Sequence, residues 1–305
     1  MSHDPPPGPG PYRGASPYGD VQPYGDAGRY PGPAPVRPRG RRILLAAVAA
    51  WALVLVGTGG WYALHGRPTV RDQTTIGSAQ STVDTAVADL LRAAGSGPVP
   101  VLSGFAKVGD CDVTLVRAGE RWARSVRFWV PVDAVGPLID QVAAGLPARY
   151  QAKANTSAGG AVHTLYADAG DYVSITGSVD RPGLVRFTAG TGCRPVGTRP
   201  AADPTGTPDA ARRAPVDAAL VALRTAAVSW RVHELRCGTG TVATVEATGG
   251  PGVSPDATPP VPAGAQPVLR TGGLAAWRAA DGTGVASRTS DGTVVVAATT
   301  GGCAG

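Results

Sequence analysis

VDTAVADLLRAA at residues 83–94 returns as VDAALVALRTAA at residues 216–227, and the fold follows from that pair. The two share Val, Asp, Ala, Leu and a closing Ala-Ala in register. Val83, Val87, Leu90 and Leu91 fall at i, i+4, i+7 and i+8, the spacing of one apolar helix face. A helix is therefore predicted from about Ser81, and a second of the same cast from about Val216. Each is followed by short β-type runs and then by a cysteine, Cys111 or Cys237.

The two regions also end alike. LYADAGDYVSITGSVDRPGLVRFTAGTGC (165–193) and AWRAADGTGVASRTSDGTVVVAATTGGC (276–303) each read as three short strands closing on Gly-Cys. Asp281-Gly282 and Asp291-Gly292 are hairpin signals, and Asp180-Arg-Pro-Gly183 is a longer turn of the same kind. The expected fold class is α+β, with residues 78–193 and 214–305 as two related units. Each would pack an N-terminal helix on an antiparallel sheet, and residues 194–213 would link them. The first unit inserts a predicted helix from Asp133 to Leu146. The second has instead GGPGVSPDATPPVPAGAQP (249–267), a Pro/Gly loop with no core-forming pattern.

Four cysteines in an exported chain read as two disulfides, and four allow three connectivities. The duplication selects Cys111–Cys193 and Cys237–Cys303. Zinc does not fit, because no Cys-x-x-Cys occurs and only His233 lies at ligand spacing from a cysteine.

Export is inferred from Ile43 to Leu64, ILLAAVAAWALVLVGTGGWYAL, which has neither charge nor proline. At about 1.5 Å per residue it matches a bilayer core of about 30 Å. Arg37, Arg39, Arg41 and Arg42 precede it, against Arg67 and Arg71 beyond it, so the N-terminus is expected in the cytoplasm. A cleaved signal peptide fits less well, given the long preceding region. No cysteine follows the segment to carry a lipid. Residues 65–77 read as a juxtamembrane linker. Residues 1–42 are Pro- and Gly-rich, with tyrosines at 12, 18, 24 and 30, and are expected to be disordered.

The chain of 305 residues is 16% charged with 43 Gly and 29 Pro, which suits a partly disordered protein with a β-rich folded part. Its net charge of +6 divides evenly between residues 1–64 and 65–305, so neither part has a nucleic-acid binder's charge density. Gly-x-Ser-x-Gly, His-Glu-x-x-His, a P-loop and a dinucleotide fingerprint are all missing from the sequence. His163 and His233 fall in predicted strands. Tyr150 and Lys153, and the aspartates at 110, 112, 168 and 171, read as coincidence or turn formers. No catalytic, cofactor or metal residue is assigned.

One strand is less bland. Arg121, Arg127 and Trp129 share one face, while Trp122, Val126, Phe128 and Val130 share the other, which Arg124 breaks. The basic-aromatic face is a candidate for binding an anionic cell-wall polymer or an envelope protein. The expected protein is a membrane-anchored, non-catalytic binding module of a bacterial envelope. The alternative is an exported hydrolase with scattered catalytic residues.

Overall fold

The computed structural model describes residues 38–65, 74–157, 162–198, 200, 201, 203 and 206–303. The disordered tail expected over residues 1–42 lies outside them as far as residue 37, as does most of the juxtamembrane linker, whereas residues 38–42 are helical instead.

Helix α1 runs Pro38–His65, starting before Ile43. Proline suits a first helical position, where its missing N–H costs nothing, and arginine propagates helix well. Within it Ile43–Trp61 has a mean hydropathy of 2.1 with no residue buried. Among the described residues it is the one helix long and apolar enough to cross a membrane.

The next helix along the chain is α2, Ile76–Ala94. It starts five residues ahead of Ser81 because Ile76, Ala79 and Val83 continue the apolar face and are buried. Next come β1 (Val99–Leu102), β2 (Ala106–Thr114), β3 (Arg117–Trp129) and α3 (Val135–Gly145). A four-strand meander follows: β4 (Lys153–Thr156), β5 (His163–Gly170), β6 (Val173–Arg181) and β7 (Leu184–Pro195). Helix α4 (Ala210–Ala222) opens the remainder, and Asp209 Oδ1 caps it by accepting from the Arg212 amide at 3.0 Å. Then come β8 (Ala227–Cys237), β9 (Gly240–Gly249), β10 (Gln266–Thr271), β11 (Leu274–Arg278), β12 (Gly284–Ser290) and β13 (Thr293–Gly301). The closing Ala-Ala pairs part company here. Ala93 and Ala94 are helical, whereas Ala226 and Ala227 lie at the entry to β8.

The strands form two antiparallel sheets. The first is ordered β1-β3-β7-β6-β5-β4, with β2 also paired to β3. Strand β1 lies beside the last residues of β3, and β2 beside its first. The second sheet is ordered β10-β11-β12-β13-β9-β8. In both, a hairpin (β2–β3 or β8–β9) is followed by a meander whose last strand returns to pair with the hairpin's second strand.

Cross-strand registers assign the sheet faces. Leu102, Val126 and Phe187 stand opposite one another on one face of the first sheet, and pack with Val83, Val87 and Leu90 of α2 and Ile139 of α3. On its other face Val99, Trp129 and Leu184 form a row. That row joins Leu269, Leu274, Ala276, Ala286 and Ala297 of the second sheet in a shared cluster. The far face of the second sheet carries Trp277, Val285, Ala298, Val245 and Val232, covered by Val216 and Leu220 of α4. Four layers result: helices, sheet, sheet, helix. Leu235, Cys237 and Val242 also reach the cluster under α2, so the two sheets share their cores.

Two stretches differ from expectation. The Pro/Gly loop before β10 places Val253 in the core under α4, with Ala257 and Val261 beside it. Its isolated apolar residues have no period, yet each meets a sheet that needs covering. The stretch taken as a polar linker from Arg194 starts with a fully buried arginine, held by Thr74, Thr191 and Asp171.

Candidate functional site

The described residues 196–198, 200, 201 and 203 form a strap over the start of α2 and the β2–β3 hairpin. A cavity of about 680 Å³ lies beneath it. Ile76, Phe105, Trp122, Val196 and Pro200 give it apolar walls. Phe105 and Trp122 lie with ring centroids 5.4 Å apart and planes tilted by 40°. Lys107 and Trp122 are directly opposite across β2 and β3, so an amine and an indole emerge side by side.

The polar groups at this end are mutually engaged. Glu120 accepts from the Trp122 indole N–H and from Lys107 Nζ, both at 2.8 Å. Lys107 also pairs with Asp110 at 2.6 Å. Those contacts, Asp110 first and then Glu120, raise the Lys107 pKa. The Lys107 and Trp122 hydrogen bonds lower that of Glu120.

At the other end Asp203 leads from the cavity into a buried ion cluster. Arg124, 2% exposed, places Nη2 3.1 Å from Asp203 Oδ1 and Nη1 3.1 Å from Asp84 Oδ1 of α2. Nη1 also donates to the Glu234 carbonyl at 3.1 Å. His233 Nδ1 lies 3.0 Å from Asp203 Oδ2. Gly104 permits this packing, since a Cβ there would come within 2.4 Å of Asp203 Oδ2. The Arg124–Asp84 contact lacks hydrogen-bond alignment, and Asp84 Oδ1 is buried without a hydrogen-bond partner. Burial raises the Asp84 pKa; Arg124 opposes this and Asp203 adds to it. A proton on Asp84 would balance the second carboxylate facing a single guanidinium.

The residues singled out from the sequence are dispersed. The structure joins Cys111 to Cys193 and Cys237 to Cys303. The first bridge spans β3, linking edge strand β2 to β7. The second links the end of β8 to the residue two beyond β13. Arg121, Arg127 and Trp129 do not form an open face: Arg121 is exposed, Arg127 is half-buried and Trp129 is 5% exposed. The second sheet covers that end of the strand, which alternation alone does not reveal. His163 meets Thr156 Oγ1 at 3.2 Å, away from the strap cavity. Tyr150 bonds to Asp89, and Asp168 caps its turn by accepting from the Gly170 amide.

Asp84 and Asp203 were not singled out beforehand. Arg124 gave a signal, as a charge among core-facing strand positions, but its partners lie 40 and 79 residues away along the chain. No protein-family model and no curated protein matches this chain.

Proposed function

We propose that this is a single-pass, membrane-anchored envelope protein, with a cytoplasmic N-terminus and a duplicated, non-catalytic extracytoplasmic binding module. The strap cavity would receive the ligand. The observation that carries this reading is the lining: an aromatic pair within apolar walls, whose Lys107 and Glu120 are already paired. Such a surface gains most by burying an apolar group. Two disulfides suit an oxidising compartment beyond a membrane, and α1 supplies an anchor. The matching strand orders, with a bridge at the corresponding corner of each sheet, support a duplication of one α+β unit.

A photo-crosslinking amino acid at Thr198, on the cavity wall, tests the binding reading in intact cells. Illumination should give an adduct there, absent when the same group replaces exposed Arg181 on the β6–β7 hairpin. Equal labelling at both positions, or none, would reject a ligand in this cavity.

The His233–Asp203 pair favours a second reading, an exported hydrolase with His233 as base. The two readings part at His233→Gln. A hydrolase would lose turnover, whereas a binding module would keep its Thr198 adduct.

A further inference from the structure

Strand alternation sends Arg127 toward the second sheet, where a cavity of about 180 Å³ separates the facing sheet surfaces. Val101, Arg127 and Arg186 form one row across β1, β3 and β7. Ala297, Glu246 and Arg231 form a row across β13, β9 and β8, and Arg288 stands opposite Val295. Arg127, Trp129, Arg231, Glu246 and Arg288 all line the cavity. Neither sheet alone makes this site.

Its charges do not balance. Four guanidinium groups, Arg127, Arg186, Arg231 and Arg288, face two carboxylates, Asp180 and Glu246. Asp180 is taken up by Arg186, with contacts of 2.6 and 2.8 Å, and lies 3.9 Å from Arg127 Nε. Glu246 lies 3.8 Å from Arg231. Two buried donors are left over: Arg127 Nε and the Trp129 indole N–H have no hydrogen-bond partner. An unpaired buried donor is destabilising, so a site with two such donors and surplus positive charge is incomplete. Burial, and then Arg186 and Arg288, lower the Arg127 pKa, the direction an added anion would reverse.

We propose that this inter-sheet cavity binds a doubly charged tetrahedral oxyanion, a phosphate or the phosphate of a monoester. The excess of two positive charges matches its charge, and planar guanidinium groups match its oxygens bidentately. Arg231, 69% exposed, marks the side from which it enters. This site is independent of the strap cavity and of any ligand there.

The test is isothermal titration calorimetry on the full chain in maltoside micelles, which contain no phosphate. Titrants are inorganic phosphate and glycerol 1-phosphate, with sodium chloride at matched ionic strength as the control. Saturable 1:1 binding is expected, weakened at least tenfold in both Arg288→Gln and the exposed-site variant Arg231→Gln. Thermal unfolding would check that both variants remain folded. Affinity for the monoester equal to or above that for phosphate would assign the site to a phosphate monoester. Preference for inorganic phosphate would identify the free ion. No saturable heat with either titrant, or binding undiminished in both variants, would overturn the site.

Discussion

Arg124 Nη2 stands 3.1 Å from Asp203 Oδ1, tying the strap to the middle of the first sheet. Arg124 is buried in β3, so removing Asp203 leaves a buried guanidinium short of one anion and releases His233. Asp203→Ala is expected to cost about 3 kcal/mol, the scale for breaking a buried ion pair. Urea unfolding would measure it, and a loss below the scatter of surface variants would show the strap to be held by other contacts.

Asp84 should behave differently. Its raised pKa means that the folded state holds the Asp84 proton more tightly than the unfolded state. That contribution is full below the unfolded value of about 3.9 and is lost as pH rises through the raised folded value. Asp84→Asn should remove this part of the pH dependence and cost less than Asp203→Ala. An unchanged stability–pH curve in the variant would contradict the assignment.

Tyr150, 2% exposed, donates to Asp89 Oδ2 at 2.7 Å, fastening the turn after α3 to α2. Burial first, then the Asp89 hydrogen bond, raises its pKa. Its contribution to stability should hold below about pH 10 and fade as pH rises through the higher folded value. Ultraviolet titration should show one tyrosine ionising last, absent in Tyr150→Phe. That variant should lose about 1.5–3 kcal/mol, the range for a hydrogen bond to a charged group.

Gly301 ends β13 at φ 81°, and a Cβ there would come 1.9 Å from the Thr241 carbonyl oxygen. Gly301→Ala should therefore displace the end of β13 from β9 and cost at least about 2 kcal/mol. Non-reducing peptide mapping should show the Cys237–Cys303 bridge forming less completely, with Cys111–Cys193 intact. Full oxidation of both bridges would argue that the chain absorbs the shift.

The bridges themselves test how the sheets cooperate. Cys237 and Leu235 lie in the cluster under α2, so Cys237→Ser should loosen the first sheet as well as the second. A single unfolding transition, lowered by about 2–5 kcal/mol, is expected. Two separated transitions would mean that the halves fold independently.

Local chemistry made part of this legible in advance. The Asp291-Gly292 turn, the apolar period of α2 and the Gly-Cys endings are each written within a few residues. So was the alternation in β3 that puts Arg127 and Trp129 on one face. What covers that face was not, because it comes from Ala276, Ala286 and Ala297, small residues with no signature of their own. The strap escaped for a related reason. Its decisive residue, Asp203, is one aspartate in a Pro/Thr-rich stretch, defined only by Arg124 and His233 far away in sequence. The turn at Asp171-Tyr172, with φ of 48° and 55°, adopts positive angles without the glycine that usually announces them.

The late position of β7 and β13 bears on how the protein is made. A ribosome supplies each hairpin, β2–β3 or β8–β9, well before the strand that pairs with its inner member. Until that strand arrives, β3 and β9 present an unpaired backbone edge, the template on which foreign strands stack. Each bridge includes the last cysteine of its half, so no covalent lock forms during this interval. The newborn chain is therefore at greatest risk of aggregation just before each half is finished, and a holdase that shields open strand edges would protect it then.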